Sequence, residues 1–434
     1  MAILSLPGSH GLGNPHDNAL PKCRLLWLRS LLTEELVPRF RGVRVIALWI
    51  DTLCIPVDLR LQNDRNQAIV LMKKTYSDAQ AVLVLDRDLQ QVSCDSSILE
   101  IAIRVLCCGW MRRLWTLQEA SLVSEKEPWK LNFQFLEGPL AHAVLDPSLE
   151  AFYGNKNVGR PSAHDGLLLY DHVLGTIRTR IPPVHHLPQV TEHNTPFSVI
   201  ATAVAHRSTS KARDEPLCMA GLMGFDVAAI LRIKTAEERM MLFYTMLGQV
   251  PADLIFVRGM TRLETAPFRW APASILSNEF ATFRCRRKPA GSCDVDGLCV
   301  VYQGFIFDNI DGSAANLQPR TRCIVQDPGA GAEYIIQTDN IAETPPEAFT
   351  LPPQPALIFQ MEAKKFVGAV VNIEGYTIHD QGQDLEWPAN VVYWVDLVDQ
   401  VAVSPIATLE TAADDQIEYL KGTMTGPGQV WMIT

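Results

Sequence analysis

In Trp49-Ile50-Asp51-Thr52-Leu53-Cys54-Ile55-Pro56, an apolar run meets an aspartate, a short turn and a proline. The residues leading into it, Val43 to Ile50, are few and β-branched, which predicts a buried strand with an acidic residue at its end. Downstream, Ala68, Ile69, Met72 and Tyr76 recur on one helix face, and Asn63 or Asp64 can cap that helix, which runs through Ser77. Ala81-Val82-Leu83-Val84-Leu85 is apolar throughout, as in a strand covered on both faces of a parallel sheet. Ile98, Ile101, Ala102 and Val105 mark a second helix, and Met111 to Val123 a third with Leu114, Leu117 and Ser121 facing inward. Strands and helices alternating at these lengths predict a doubly wound α/β domain. Ligands collect at the carboxyl ends of the strands in such sheets, so Trp49 to Glu119 is a candidate site as well as a core.

Upstream, Ala2 to Leu6 is a short apolar start, and Ser9-His10-Gly11-Leu12-Gly13-Asn14-Pro15 reads as a loop. Leu25, Leu28, Leu32 and Leu36 recur at helical spacing, predicting a helix over 22–37 that ends before Pro38. Residues 125–195 are weakly patterned and read as a connector with one helix near 165–177. Helices follow at Phe197 to Arg207, Glu215 to Leu222 and Ala236 to Leu247. Beyond Pro272 the pattern becomes short strands: Leu298 to Phe307, Tyr334 to Gln337, Ala356 to Gln360, Phe366 to Val371 and Val391 to Leu397. The expected organisation is an α/β domain over 1–137, a helical connector region over 138–272 and a β-rich region over 273–434.

A chain of 434 residues exceeds one ordinary core, and 47% hydrophobic with 20% charged residues fits a folded protein. The net charge of −10 argues against a nucleic-acid partner, since phosphate contacts need clustered Lys and Arg. The dense basic run Arg284-Cys285-Arg286-Arg287-Lys288 is short and reads as a solvated loop. No apolar run reaches membrane-spanning length and the start lacks a secretory pattern, so a cytoplasmic protein is expected. Cys285, Cys293 and Cys299 lack the paired spacing of a zinc ribbon, and no metal site is assigned. Cys54 with His10 or His142 lacks a cysteine-protease signature. Gly11-Leu12-Gly13 lacks the third glycine of a dinucleotide fingerprint. Residues 290–434 hold one histidine, His379, and no nucleophile–base motif. They are expected to serve packing and recognition as a dependent extension with open apolar strand edges.

Trp49 to Ile55, then Met72 with Tyr76 and Ala79, then Arg113-Leu114-Trp115-Thr116-Leu117-Gln118-Glu119-Ala120 form three ordered motifs. Together they resemble the fungal heterokaryon incompatibility (HET) domain, and Arg207, Asp214-Glu215 and Phe268-Arg269-Trp270-Ala271-Pro272 are similar to features of its longer relatives. The resemblance implies a flavodoxin/TIR-like parallel sheet, and a role in non-self recognition and regulated cell death through self-association, as a homo-oligomer with an unknown protein partner. Some TIR domains cleave NAD with a glutamate in a Trp-x-x-x-Glu pattern, which here falls on Trp115 and Glu119. The resemblance therefore implies Glu119 as catalytic residue, with Asp51 and Trp115 toward the ligand, NAD as substrate and no required cofactor; Arg65 and Arg113 are candidates for phosphate contact by residue type. The family's usual tryptophan-containing opening motif is absent, so the opening strand falls on Ala2 to Leu6 or the chain is shortened there. Each residue also has a structural role open to it. Glu119 can pair with Arg112, Arg113 or Lys126, Asp51 can accept backbone N–H groups in the turn, Trp115 can be core, and Arg65 can form a surface ion pair. A non-catalytic adaptor with a partner-sensing C-terminal region is the alternative function.

Overall fold

The computed structural model describes residues 2–5, 17–36, 47–124, 128–145, 164–181, 196–257, 259–276, 290–308, 322–329, 331–337, 351–360, 366–378, 391–405 and 418–434. The chain forms two compact units, residues 1–243 with 275–284 and residues 244–274 with 285–434.

The first unit is mixed α/β. Its strands are β1 (Ala2–Ser5), β2 (Leu48–Trp49), β3 (Ala81–Val84), β4 (Leu131–Gln134) and β5 (Pro139–Ala141), in the spatial order β2-β1-β3-β4-β5. β1 pairs in parallel with β2 and β3, so the opening apolar residues supply the strand between them. β3 pairs in parallel with β4, and β5 closes the edge as an antiparallel hairpin. The antiparallel β5 sets this sheet apart from an all-parallel one. Of the strand expected over 43–50, the part before residue 47 lies outside the described residues.

β4 falls in the stretch whose composition reads as connector, because it buries two polar side chains. The amide of Asn132 donates to the carbonyls of Trp129 and Lys130, and that of Gln134 to Phe135. With acceptors for both NH2 groups, the strand sits in the core without apolar alternation. Ala81, Leu83 and Leu85 pack against Leu28, Leu32 and Ile50. All four residues of β3 are buried, which requires cover on both faces.

The helices of this unit are α1 (Lys22–Leu31), α2 (Asp51–Cys54), α3 (Gln62–Ser77), α4 (Ile98–Cys107), α5 (Gly109–Arg112), α6 (Trp115–Ser124), α7 (His164–Arg180), α8 (Pro196–Val204), α9 (Glu215–Met223), α10 (Val227–Arg232) and, continuing past residue 243, α11 (Ala236–Leu247). α1 runs on as a π turn, Leu32–Leu36; it buries Leu28 and Leu32 and leaves Leu25 exposed. α3 begins before Asn63 and Asp64, so neither caps it. It continues a 3-10 turn, Leu59–Leu61, whose start is capped by the Asp58 carboxylate accepting from the Arg60 N–H at 2.9 Å. The helix expected over Met111 to Val123 is instead two, α5 and α6. Between them the chain pairs sideways: Ser208 N–H donates to Arg112 C=O at 2.7 Å, and Leu114 N–H to Ser208 C=O at 3.0 Å. That bridge takes the backbone groups a continuous helix would use.

The second unit is a single large sheet of β6 (Gln249–Pro251), β7 (Ala290–Asp294), β8 (Gly297–Val301), β9 (Gly304–Phe307), β10 (Arg322–Asp327), β11 (Ala332–Gln337), β12 (Pro355–Gln360), β13 (Phe366–Ile378), β14 (Val391–Pro405), β15 (Glu418–Met424) and β16 (Val430–Ile433). β14 is long enough to pair with β16 over 392–395 and with β11 over 402–405. The strands β11-β10-β15-β9-β12-β13-β14 thereby close on themselves as a barrel, with β16, β8, β7 and β6 extending from β14. Phe305, Phe307, Val325, Leu357, Phe359 and Val401 are among the side chains of its core. Closure pairs the edge groups that the expectation of open apolar edges left free. The strand expected over Leu298 to Phe307 breaks at Tyr302, whose carbonyl accepts from the Trp431 indole at 3.0 Å.

Candidate functional site

Asp51 follows the carboxyl end of β2 and opens α2. Its Oδ1 accepts from the Thr52 N–H at 2.6 Å and the Thr52 hydroxyl at 3.2 Å. Asn18 pins the loop that follows. Its amide donates to the carbonyls of Thr52 (2.8 Å) and Ile55 (2.6 Å) and accepts from Val57 N–H at 2.9 Å. Asn18 holds a left-handed backbone, φ 47°, which asparagine tolerates better than most residues.

Glu119 lies on α6 and is 7% exposed. Its Oε2 accepts from the Trp110 indole at 3.3 Å, and its carboxylate also accepts from the Tyr76 hydroxyl. Tyr76, from the last turn of α3, is buried and meets Trp49 edge to face with ring centres 5.4 Å apart. Burial pushes the Tyr76 phenol well above the ordinary tyrosine range; the charges of Glu119 and Asp51 add to this and Arg113 opposes it. Glu119 thus touches the phenol directly, while Asp51 acts on it through its charge. Trp110 is also fixed through its main chain, because its backbone N–H donates at 3.0 Å to buried Asp86, just past β3. Sequence reading passed over Asp86, although an acidic residue ending an apolar strand is the signal that marked Asp51.

Arg207 is 4% exposed and organises the base of α6. Its guanidinium donates to Ala203 C=O (3.1 Å) in the last turn of α8, Arg180 C=O (3.1 Å) at the end of α7, Arg113 C=O (2.9 Å) and the Thr116 hydroxyl (3.0 Å). Two helix C-termini stabilise this cation. Burial lowers its pKa to about 10.

Trp115 and Arg65 do not join that cluster. The Trp115 indole donates to Asp214 Oδ2 at 3.2 Å. Arg65 donates to Pro56 C=O at 2.8 Å and, with Asp214, lines a separate cleft of about 540 Å³. Sequence reading missed the cleft because its cationic residues are scattered from position 65 to 239. Of the other candidates, Cys54 is exposed on α2, His142 is buried beside Phe133, and His10 lies outside the described residues. Glu215 is buried and accepts from Ile275 N–H at 2.7 Å. In the second unit, Arg269 pairs with Asp396 at 2.8 Å beside the buried Trp270. Among the described residues no helix is long and apolar enough to cross a membrane.

The family model for heterokaryon incompatibility protein (HET) matches residues 28–98. The matched span carries β2, α2, α3 and β3, with Asp51, Arg65 and Tyr76, and ends where α4 begins; Trp115 and Glu119 lie beyond it. No curated protein and no solved structure matches the chain.

Proposed function

We propose that this chain acts in heterokaryon incompatibility, recognising non-self and passing on a regulated-death signal by self-association in the cytoplasm. The observation that carries the reading is the HET match over β2 to β3. The α/β unit is the signalling part and is read as TIR-like. Its parallel order β2-β1-β3-β4 supports this, since the order 2-1-3-4 belongs to doubly wound sheets of the flavodoxin type. NAD is the proposed substrate. Asp51 follows β2, Glu119 lies on α6 and the charges of both act on the Tyr76 phenol, and a carboxylate at such a place can stabilise an oxocarbenium-like transition state. The adaptor reading has its own support: Glu119 is nearly closed from solvent and holds two donors, the arrangement of a core anchor. In that case an unidentified protein partner is sensed through the C-terminal barrel.

Inducible expression of the full chain in a fungal host, with viability, intracellular NAD and particle mass measured together, separates these readings. Loss of viability with a fall in NAD, both abolished by Glu119→Gln, supports the catalytic reading. Loss of viability at constant NAD supports the adaptor. A monomer whose expression leaves viability unchanged overturns the incompatibility reading.

A further inference from the structure

The cleft that Arg65 lines is bounded by α3 (Gln62, Arg65, Asn66, Ile69), by the turn into α9 (Lys211, Arg213, Asp214, Leu217) and by the segment from α10 to α11 (Leu231, Arg232, Ile233, Lys234, Arg239). Six of its side chains are cationic and one, Asp214, is acidic, in a chain of net charge −10. Among the described residues, Lys211, Arg213, Arg232 and Lys234 enter no ion pair. Asp214 is already engaged by the Trp115 indole. Like charges gathered around a concave surface repel one another, and an acidic protein has carboxylates to spare for neutralising them. Here they are left facing the same space.

The wall is held rigidly. Buried Arg239 points inward and donates to the carbonyls of Ile233 (2.8 Å), Arg213 (3.0 Å) and Leu231 (3.4 Å). It thereby fixes the two backbone segments that carry Arg213, Arg232 and Lys234. Ile69, Leu217, Leu231 and Ile233 supply an apolar wall in the same cleft. About 540 Å³ falls within the range of small-molecule sites and is too confined for a folded partner.

We propose that this cleft binds a nucleotide carrying two or more phosphates. The phosphates sit among Lys211, Arg213, Arg232 and Lys234 with Arg65 at the α3 side, and the base lies on Ile69, Leu231 and Ile233. Arginine suits the phosphates because its planar fork matches their oxygens two at a time. The apolar wall is what selects a nucleotide over inorganic anions. The site stands apart from Glu119, so it is independent of the incompatibility reading and of NAD cleavage.

Calorimetric titration of the full chain tests it, with ADP, AMP and pyrophosphate as probes and Arg213→Ala/Lys234→Ala as the variant. Both side chains are exposed, so folding is unaffected; Lys421→Ala, on the other unit, controls for lost charge. ADP is expected to bind more tightly than AMP and pyrophosphate, and more weakly as salt rises. Affinity for ADP should fall about a hundredfold in the double variant, about tenfold per charge-assisted contact, and stay unchanged in Lys421→Ala. No ADP binding at millimolar concentration, or equal binding by the double variant, overturns the site. Pyrophosphate binding as tightly as ADP overturns the nucleotide assignment. A single-stranded oligonucleotide binding more tightly than ADP overturns it in favour of a polynucleotide groove.

Discussion

Replacing Arg207 with methionine tests whether a buried cation that donates to three carbonyls and a hydroxyl holds the first unit together. Methionine roughly fills the volume but donates nothing. The carbonyls of Ala203 and Arg180, at two helix ends, and of Arg113 then lose their guanidinium donor, and the one hydroxyl hydrogen of Thr116 is shared between Arg113 C=O and Trp110 C=O, both at 2.6 Å. A buried acceptor left unsatisfied costs about 1–3 kcal/mol, so the gross loss is roughly 3–9 kcal/mol. Against this, burial lowers the guanidinium pKa from 12.5 to about 10, so the charge is held at a cost of roughly 3 kcal/mol that methionine avoids. The net destabilisation is about 3 kcal/mol, which for a unit of this size corresponds to roughly 6–12 °C in Tm. Scanning calorimetry of the full chain should show the transition of the α/β unit falling by that amount while the barrel transition stays in place. Arg207→Lys should recover only part of the loss, because one ammonium cannot span four acceptors. An α/β transition within about 2 °C of the parent would refute the argument.

Three further outcomes are expected. Tyr76 has a folded pKa raised above its unfolded value of about 10, so its contribution to stability is present below pH 10 and is lost as pH rises beyond it. Arg207, with its lowered pKa, acts in the opposite sense at high pH, so alkaline unfolding is best compared between the parent and Tyr76→Phe. The variant should lose about 1–2 kcal/mol at pH 7 and show a flatter decline above pH 10; an unchanged alkaline slope would count against the buried phenol. Gly422→Ala should destabilise the barrel by at least 2 kcal/mol, since a Cβ there would lie 2.2 Å from the Ile306 carbonyl oxygen and 2.5 Å from the Phe305 ring. In calorimetry it should lower only the barrel transition, which also identifies that transition. A fragment of residues 244–434 should melt cooperatively as a monomer, because the closed barrel lies wholly within it; aggregation with no cooperative melt would restore the view of a dependent extension.

The sequence by itself determined the elements whose signals are local. Ala81–Val84 is a strand because four consecutive apolar residues of that kind need cover on two faces, and Ala236–Leu247 has the helix ends expected from its pattern. Asp51 was visible as a carboxylate ending a strand, and the order of its motifs pointed to the HET resemblance. What the sequence left undecided depended on groups distant in the chain. Trp115 and Glu119 are one helical turn apart, yet one turns to Asp214 and the other to Tyr76 and Trp110, which only the packing around α6 settles. The break between α5 and α6 comes from Ser208, almost a hundred positions on, which claims the backbone groups of Arg112 and Leu114. β4 was hidden because its buried amides bond to nearby carbonyls. Barrel closure rests on β14 reaching two partners at opposite ends, a matter of register that side-chain alternation cannot encode. The cationic cleft likewise exists only in three dimensions, since charge repulsion acts through space between residues that the chain order keeps far apart.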